Sequence, residues 1–90
     1  MLPKKRTKYL IISEILRACD GGAGKTKIVY QANLNFKMAE SYLDNLRRSG
    51  YIETFSNGSR TVFKTTPKGL ELKSRFDQFH SEMTGLSACI

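Results

Sequence analysis

The sequence predicts a small α+β domain, mainly helical, with one β-hairpin. Three observations carry that prediction. Ninety residues are enough for one domain and no more. Segments on either side of residues 50–66 repeat their apolar residues at three- and four-residue spacing, the period of an amphipathic helix. Between them, two runs rich in β-branched and aromatic residues flank Asn57-Gly58, the strongest short hairpin signal.

The first helix is expected over residues 7–19, with Tyr9, Ile12, Ile15, Leu16 and Cys19 on its buried side. Asp20-Gly21-Gly22 stops it, because glycine accepts the left-handed backbone that follows a helix end. A short helix follows from Lys25 to Ala32, burying Ile28, Val29 and Ala32. Asn33-Leu34-Asn35 is a turn, and Asn35 is suited to cap the next helix with its side-chain oxygen. That helix spans Phe36 to Ser49, its apolar stripe formed by Ala39, Tyr42, Leu43 and Leu46, and Gly50 ends it. The strands are Tyr51–Phe55 and Thr61–Thr65, joined by a type I′ turn at Asn57-Gly58, with Tyr51, Phe55 and Phe63 read as core. Thr66 caps the last helix and Pro67 opens it. It is expected to reach Thr84, with Gly85 beyond its end and residues 1–6 and 85–90 as loose ends.

Composition narrows the function. Hydrophobic residues make up 40% and charged residues 26%, which argues against disorder. A chain this short buries only about two thirds of its surface, so a large enclosed substrate cavity is not expected. No apolar run reaches the ~18 residues that cross a bilayer, and no signal-peptide pattern follows the basic start, so a soluble cytoplasmic protein is expected. Cys19, Cys89 and the single His80 have no zinc-site spacing. The cysteines read as reduced thiols, with Cys89 open to an intermolecular disulfide on air oxidation, and no cofactor or metal is expected. Gly21-Gly22-Ala23-Gly24-Lys25-Thr26 imitates a phosphate-binding loop, but Cys19 stands where the motif needs glycine, and a helix precedes instead of a strand. Around His80 no catalytic set assembles, and the protein is not expected to be an enzyme.

Charge is distributed unevenly. The net charge is +7, yet residues 1–68 hold 13 basic and 5 acidic side chains, while residues 69–90 hold 2 and 3. A cationic body joined to a near-neutral tail points to a polyanion on the first part and a separate task for the second.

Helix, tight turn, helix and then a two-stranded hairpin make a winged helix-turn-helix. The second helix of such a pair can enter a DNA major groove, with the hairpin over the backbone or minor groove. On the third helix, Lys37, Ser41 and Arg48 face away from the apolar stripe, flanked by Met38 and Asn45, and all but Met38 can donate to bases or phosphates. Glu40 and Asp44 dampen that affinity. Lys25, Thr26 and Lys27 open the second helix, where free backbone N–H groups attract phosphate. Asn35, Arg60 at the hairpin tip and Lys64 complete the expected double-stranded DNA contacts. Lys4, Lys5, Arg6 and Lys8 read either as an arm along the phosphates or as a solvated terminus. The last helix carries Gly69, Leu72, Phe76, Phe79, Met83 and Leu86 at an average spacing of about 3.5, a coiled-coil period. It reads as a homodimer seam over Leu72, Phe76, Phe79, Met83 and Leu86, although its first turn should pack on its own domain. Residues 1–68 would then be the DNA-binding domain and 69–90 the dimerisation element.

Several stretches resemble the archaeal winged-helix DNA-binding proteins of the Sso-ten-a class. They are Ile15-Leu16-Arg17-Ala18-Cys19, the run from Lys25 to Asn35, Tyr42-Leu43, Gly50-Tyr51-Ile52 and Thr65-Thr66-Pro67-Lys68-Gly69. The resemblance covers roughly residues 8–75. It implies double-stranded DNA binding as a homodimer joined through the C-terminal helix, in transcription control or nucleoid organisation. It also implies contacts from Lys25, Thr26, Lys27, Arg60 and the face from Lys37 to Arg48. Chromatin members carry a long coiled-coil helix; the shorter one here implies a compact dimer nearer to a regulator. A low-specificity architectural role and a protein-interaction module are the alternatives, and single-strand or RNA binding would need stacking aromatics on an open surface.

Overall fold

A computed structural model describes residues 8–89, with side-chain surroundings for residues 8–86. The elements are α1 (Lys8–Ala18), α2 (Lys25–Ala32), α3 (Phe36–Arg48), β1 (Ile52–Asn57), β2 (Arg60–Thr65) and α4 (Pro67–Cys89), in the expected order. The first three helices close around Ile11, Ile15, Leu16 and Cys19 of α1 and its exit, Ile28 and Ala32 of α2, and Leu43 and Leu46 of α3. Ile52 joins this core from β1. Phe63, Leu72 and Phe76 pack against it from the hairpin and α4.

Local signals hold where they were strongest. Asn35 accepts a hydrogen bond from the Met38 N–H at 2.7 Å, which fixes the first turn of α3. Thr66 caps α4 by accepting from the Gly69 N–H at 3.1 Å and donates its own hydroxyl proton to the Gly50 carbonyl at 2.6 Å. One side chain thus ties the end of the helix-turn-helix to the start of α4.

The wing is attached at two points that its own sequence does not announce. Ala23 pairs antiparallel with Phe63 through two backbone bonds of 2.9 and 2.8 Å. Thr65 donates its hydroxyl to the buried Leu16 carbonyl at 2.8 Å, and its N–H to the Cys19 carbonyl at 3.1 Å. The glycine-rich loop that imitates a nucleotide motif therefore serves as a short third edge for β2.

Four expectations are corrected. Tyr9 is 69% exposed, because the first turn of α1 extends past the three-helix core; its ring lies beside Phe76, with centroids 6.3 Å apart. Phe55 is 52% exposed and not core, because the register places it opposite Val62 on the face away from the buried Ile52–Thr65 pair. Asn57 pairs with Arg60, so Gly58 and Ser59 form the turn, and only Gly58 has a positive φ (64°). That is the type II′ pattern, which also matches strand twist, in place of type I′. Helix α4 passes through Gly85 to Cys89, since one glycine costs a helix only about 1 kcal/mol. As expected of the first turn of α4, Gly69 packs on the domain, and at a close approach: a Cβ there would press on the Tyr51 carbonyl oxygen and lie 2.6 Å from Thr65 Cγ2.

With 23 residues, α4 outruns the body it packs on. The radius of gyration is 14.0 Å, above the about 12 Å of a compact chain of this length.

Candidate nucleic-acid interface

The outward face of α3 is open. Lys37, Ser41, Asn45 and Arg48 are exposed along it, and Met38 is 42% exposed in its first turn. The Asn35 cap uses that residue's oxygen and leaves its amide nitrogen available. Because the cap closes the first turn, these side chains project from a fixed backbone.

The N-terminus of α2 lies against the same helix. Lys25 donates to Glu40 of α3 at 3.0 Å, while Thr26 and Lys27 are exposed beside it. The Ala23–Phe63 bridge, two residues upstream of Lys25, joins the wing to this corner. Arg60 is exposed next to the hairpin turn, and Lys64 is exposed opposite Glu53 in the register. The fold thus links α2, α3 and the wing, with α3 and the α2 terminus in direct contact. The arm residues Lys4, Lys5 and Arg6 lie outside the described residues.

Acidic side chains sort the cations into two groups. Asp44 accepts from Arg47 at 3.0 Å and lies 3.2 Å from Arg48, and Glu40 holds Lys25. Among the described residues, Lys27, Lys37, Arg60 and Lys64 make no ion pair. Sequence reasoning placed Glu40 and Asp44 on this face but not their partners, which long side chains choose only once the helices are packed.

The expected dimer seam divides in two. Leu72 and Phe76 pack against the chain's own core. Phe79, Met83 and Leu86 are 62%, 46% and 60% exposed. Sequence reasoning passed over two further large side chains on the helix-turn-helix: Tyr30 at 86% and Phe36 at 52% exposure. Only their mismatch with the apolar stripes of α2 and α3 could have signalled this.

Other chemistry finds little support. Cys19 is buried, and burial pushes its thiol up to about 12, which makes it an inert core side chain. Among the described residues no three His, Cys, Asp or Glu side chains gather as for a metal, and no helix is long and apolar enough to cross a membrane.

Comparison with known proteins agrees with this architecture. A family model described as winged helix-turn-helix matches residues 5–84. Sso10a-2, a DNA-binding protein from Sulfolobus solfataricus, superposes with a TM-score of 0.85 at 28% identity, covering 93% of this chain and 88% of that one. The PcaV transcriptional regulator from Streptomyces coelicolor superposes at 0.75 with 17% identity, over 99% of this chain and 65% of that one, a likeness of fold. The uncharacterized protein MJ0290 of Methanocaldococcus jannaschii is 36% identical over 75 residues, 82% of this chain. The chain spans 34% of that relative's length.

Proposed function

The chain belongs to the winged helix-turn-helix family, and on that premise we propose that it binds double-stranded DNA as a homodimeric transcriptional regulator. One observation carries the reading: a capped α3 presents Lys37, Ser41, Asn45 and Arg48 outward, bordered by the basic terminus of α2 and linked through it to the wing. Helix α3 enters the major groove, and Lys27 and Arg60 hold the phosphates on either side. Residues 1–68 form the reading unit. Residues 69–90 join two copies through Phe79, Met83 and Leu86, three apolar side chains that a lone chain leaves in water.

Affinity in this reading comes mainly from phosphate neutralisation. If Lys27, Lys37, Arg60 and Lys64 each displace one counterion, log K falls with log salt at a slope of about −4 per protomer, or about −7 for a dimer. Fluorescence anisotropy of a labelled duplex across a salt series measures this, and a flat response overturns the reading. Lys27→Ala should reduce the slope by about 1 per protomer and weaken all duplexes alike, whereas Arg48→Ala should alter sequence preference. Sedimentation of Phe79→Glu and Met83→Glu variants tests the joining surface, where loss of the dimer is expected.

The continuation of α4 to Cys89 favours a second reading, low-specificity DNA packaging. Selection of bound duplexes from a random pool separates the two. A palindrome supports the regulator, and no enrichment supports packaging.

A further inference from the structure

We infer that Phe36 and Met38 recognise thymine methyl groups in the major groove, so that A·T-rich duplexes are selected by apolar contact. The inference rests on the duplex-binding reading above and names what the tip of α3 would read. Phe36 and Met38 are the first and third residues of α3, on either side of the exposed Lys37. Both are large, apolar and open to water, at 52% and 42% exposure, on a helix that buries Ala39, Leu43 and Leu46. Their exposure does not come from fraying, because the Asn35 side chain holds the Met38 N–H at 2.7 Å and closes the turn that carries both.

Apolar side chains here need an apolar counterpart on the polyanion. The N-terminal residues of a reading helix are those that reach base edges. Within the major groove of unmodified DNA, the one apolar group on those edges is the C5-methyl of thymine. Cations surround the pair: Lys37 lies between them without an ion pair among the described residues, and Lys25 and Lys27 stand on the neighbouring helix terminus. Charge would bring the duplex to this tip, and the methyl groups would decide which base pairs fit beneath it. Phe36 shares its flank of α3 with Glu40, the side toward the α2 terminus, whereas Met38 lies toward α1 and α4 and lines an open groove with Ile12 and Leu72. The two side chains thus span the width of the helix, enough to touch methyl groups on different base pairs.

The test compares four labelled duplexes of equal length at one salt concentration: alternating A·T, the same with every thymine replaced by deoxyuridine, alternating G·C, and alternating G·C with 5-methylcytosine. Burying one methyl is worth about fourfold in affinity. Deoxyuridine should weaken binding by about fourfold per contacted methyl, and 5-methylcytosine should strengthen binding to the G·C duplex. The Phe36→Ala and Met38→Gln variants, checked for folding by circular dichroism, should each shrink both differences, and the double variant should abolish them. Equal affinity for thymine and deoxyuridine duplexes overturns the inference and leaves duplex binding standing. A difference that survives in the double variant also overturns it, since DNA shape would then be the cause. Failure to bind any duplex overturns both this inference and the reading beneath it.

Discussion

Two glycines of α4 should respond to the same substitution with opposite signs. At Gly69 an added Cβ would press on the Tyr51 carbonyl oxygen and lie 2.6 Å from Thr65 Cγ2. Neither neighbour can yield cheaply. The carbonyl is backbone and already accepts the Thr66 N–H at 3.0 Å, and the Thr65 side chain is held by its bond to the Leu16 carbonyl at 2.8 Å. Overpacking of this kind costs about 3 kcal/mol at the upper end of its usual range. The higher helix propensity of alanine returns at most about 1 kcal/mol. Gly69→Ala should therefore lose about 2 kcal/mol, which for a domain of this size lowers Tm by about 8–16 °C. Gly85 has nothing within 4 Å of its Cβ position, so Gly85→Ala should gain about 0.5–1 kcal/mol of local helix stability. That gain should appear as stronger far-UV ellipticity, because the far half of α4 lies outside the domain core. Urea titration and thermal melts followed by circular dichroism measure both. A Gly69→Ala protein as stable as the parent would show that α4 does not cross the hairpin base at the described distance.

Removing the α3 cap with Asn35→Ala should cost about 1 kcal/mol in urea titration and loosen the turn that bears Phe36, Lys37 and Met38. At Asp77, burial pushes the carboxyl up, but hydrogen bonds from Lys73 and Arg17, together with their charges, outweigh it and hold it below the ordinary carboxylate value. A depressed carboxyl adds stability above its unfolded pKa of about 3.9 and loses it as pH falls through the folded value. Asp77→Asn should thus lower the urea midpoint near pH 7, and the difference should shrink as pH falls below the unfolded pKa of about 3.9. Cys19, in a Cys89→Ser background, should resist alkylation in the native protein and react quickly in urea, as its buried thiol requires. Asp44→Asn frees Arg47 and Arg48 together, so it should raise affinity for every duplex and steepen the salt slope by about 1–2.

Elements fixed by neighbouring residues were legible in the sequence. The bounds of α2, the Asn35 and Thr66 caps and the existence of the hairpin all depend on residues within a few positions of one another. What escaped depends on distant contacts. Nothing near Ala23 announces a bridge to Phe63, 40 residues on, because the pairing uses only backbone atoms. Tyr9 and Phe55 have the residue types of a core, but one lies past the end of the three-helix packing and the other on an uncovered face of a two-stranded sheet. The packing of the first turn of α4 on the domain was legible, but not that the missing side chain of Gly69 is what lets the helix cross over Tyr51.

The same division between local and distant governs the candidate interface. A net charge of +7 treats every cation alike, and a helical wheel places Lys37, Asp44 and Arg48 on one side. Packing decides which charges remain for a partner. Glu40 reaches across to Lys25 only because α2 and α3 meet, and Asp44 serves two arginines one turn below. Exposed ion pairs are worth about 0–1 kcal/mol, so a phosphate can displace these carboxylates at small cost. The acids then act as internal counterions. They hold Lys25, Arg47 and Arg48 on the free protein, and in the proposed duplex complex they would yield to phosphate, whereas Lys27, Lys37, Arg60 and Lys64 make no ion pair among the described residues. Acidic residues on α3 are therefore compatible with the proposed DNA binding, and in that reading they set its strength by how readily they release their partners.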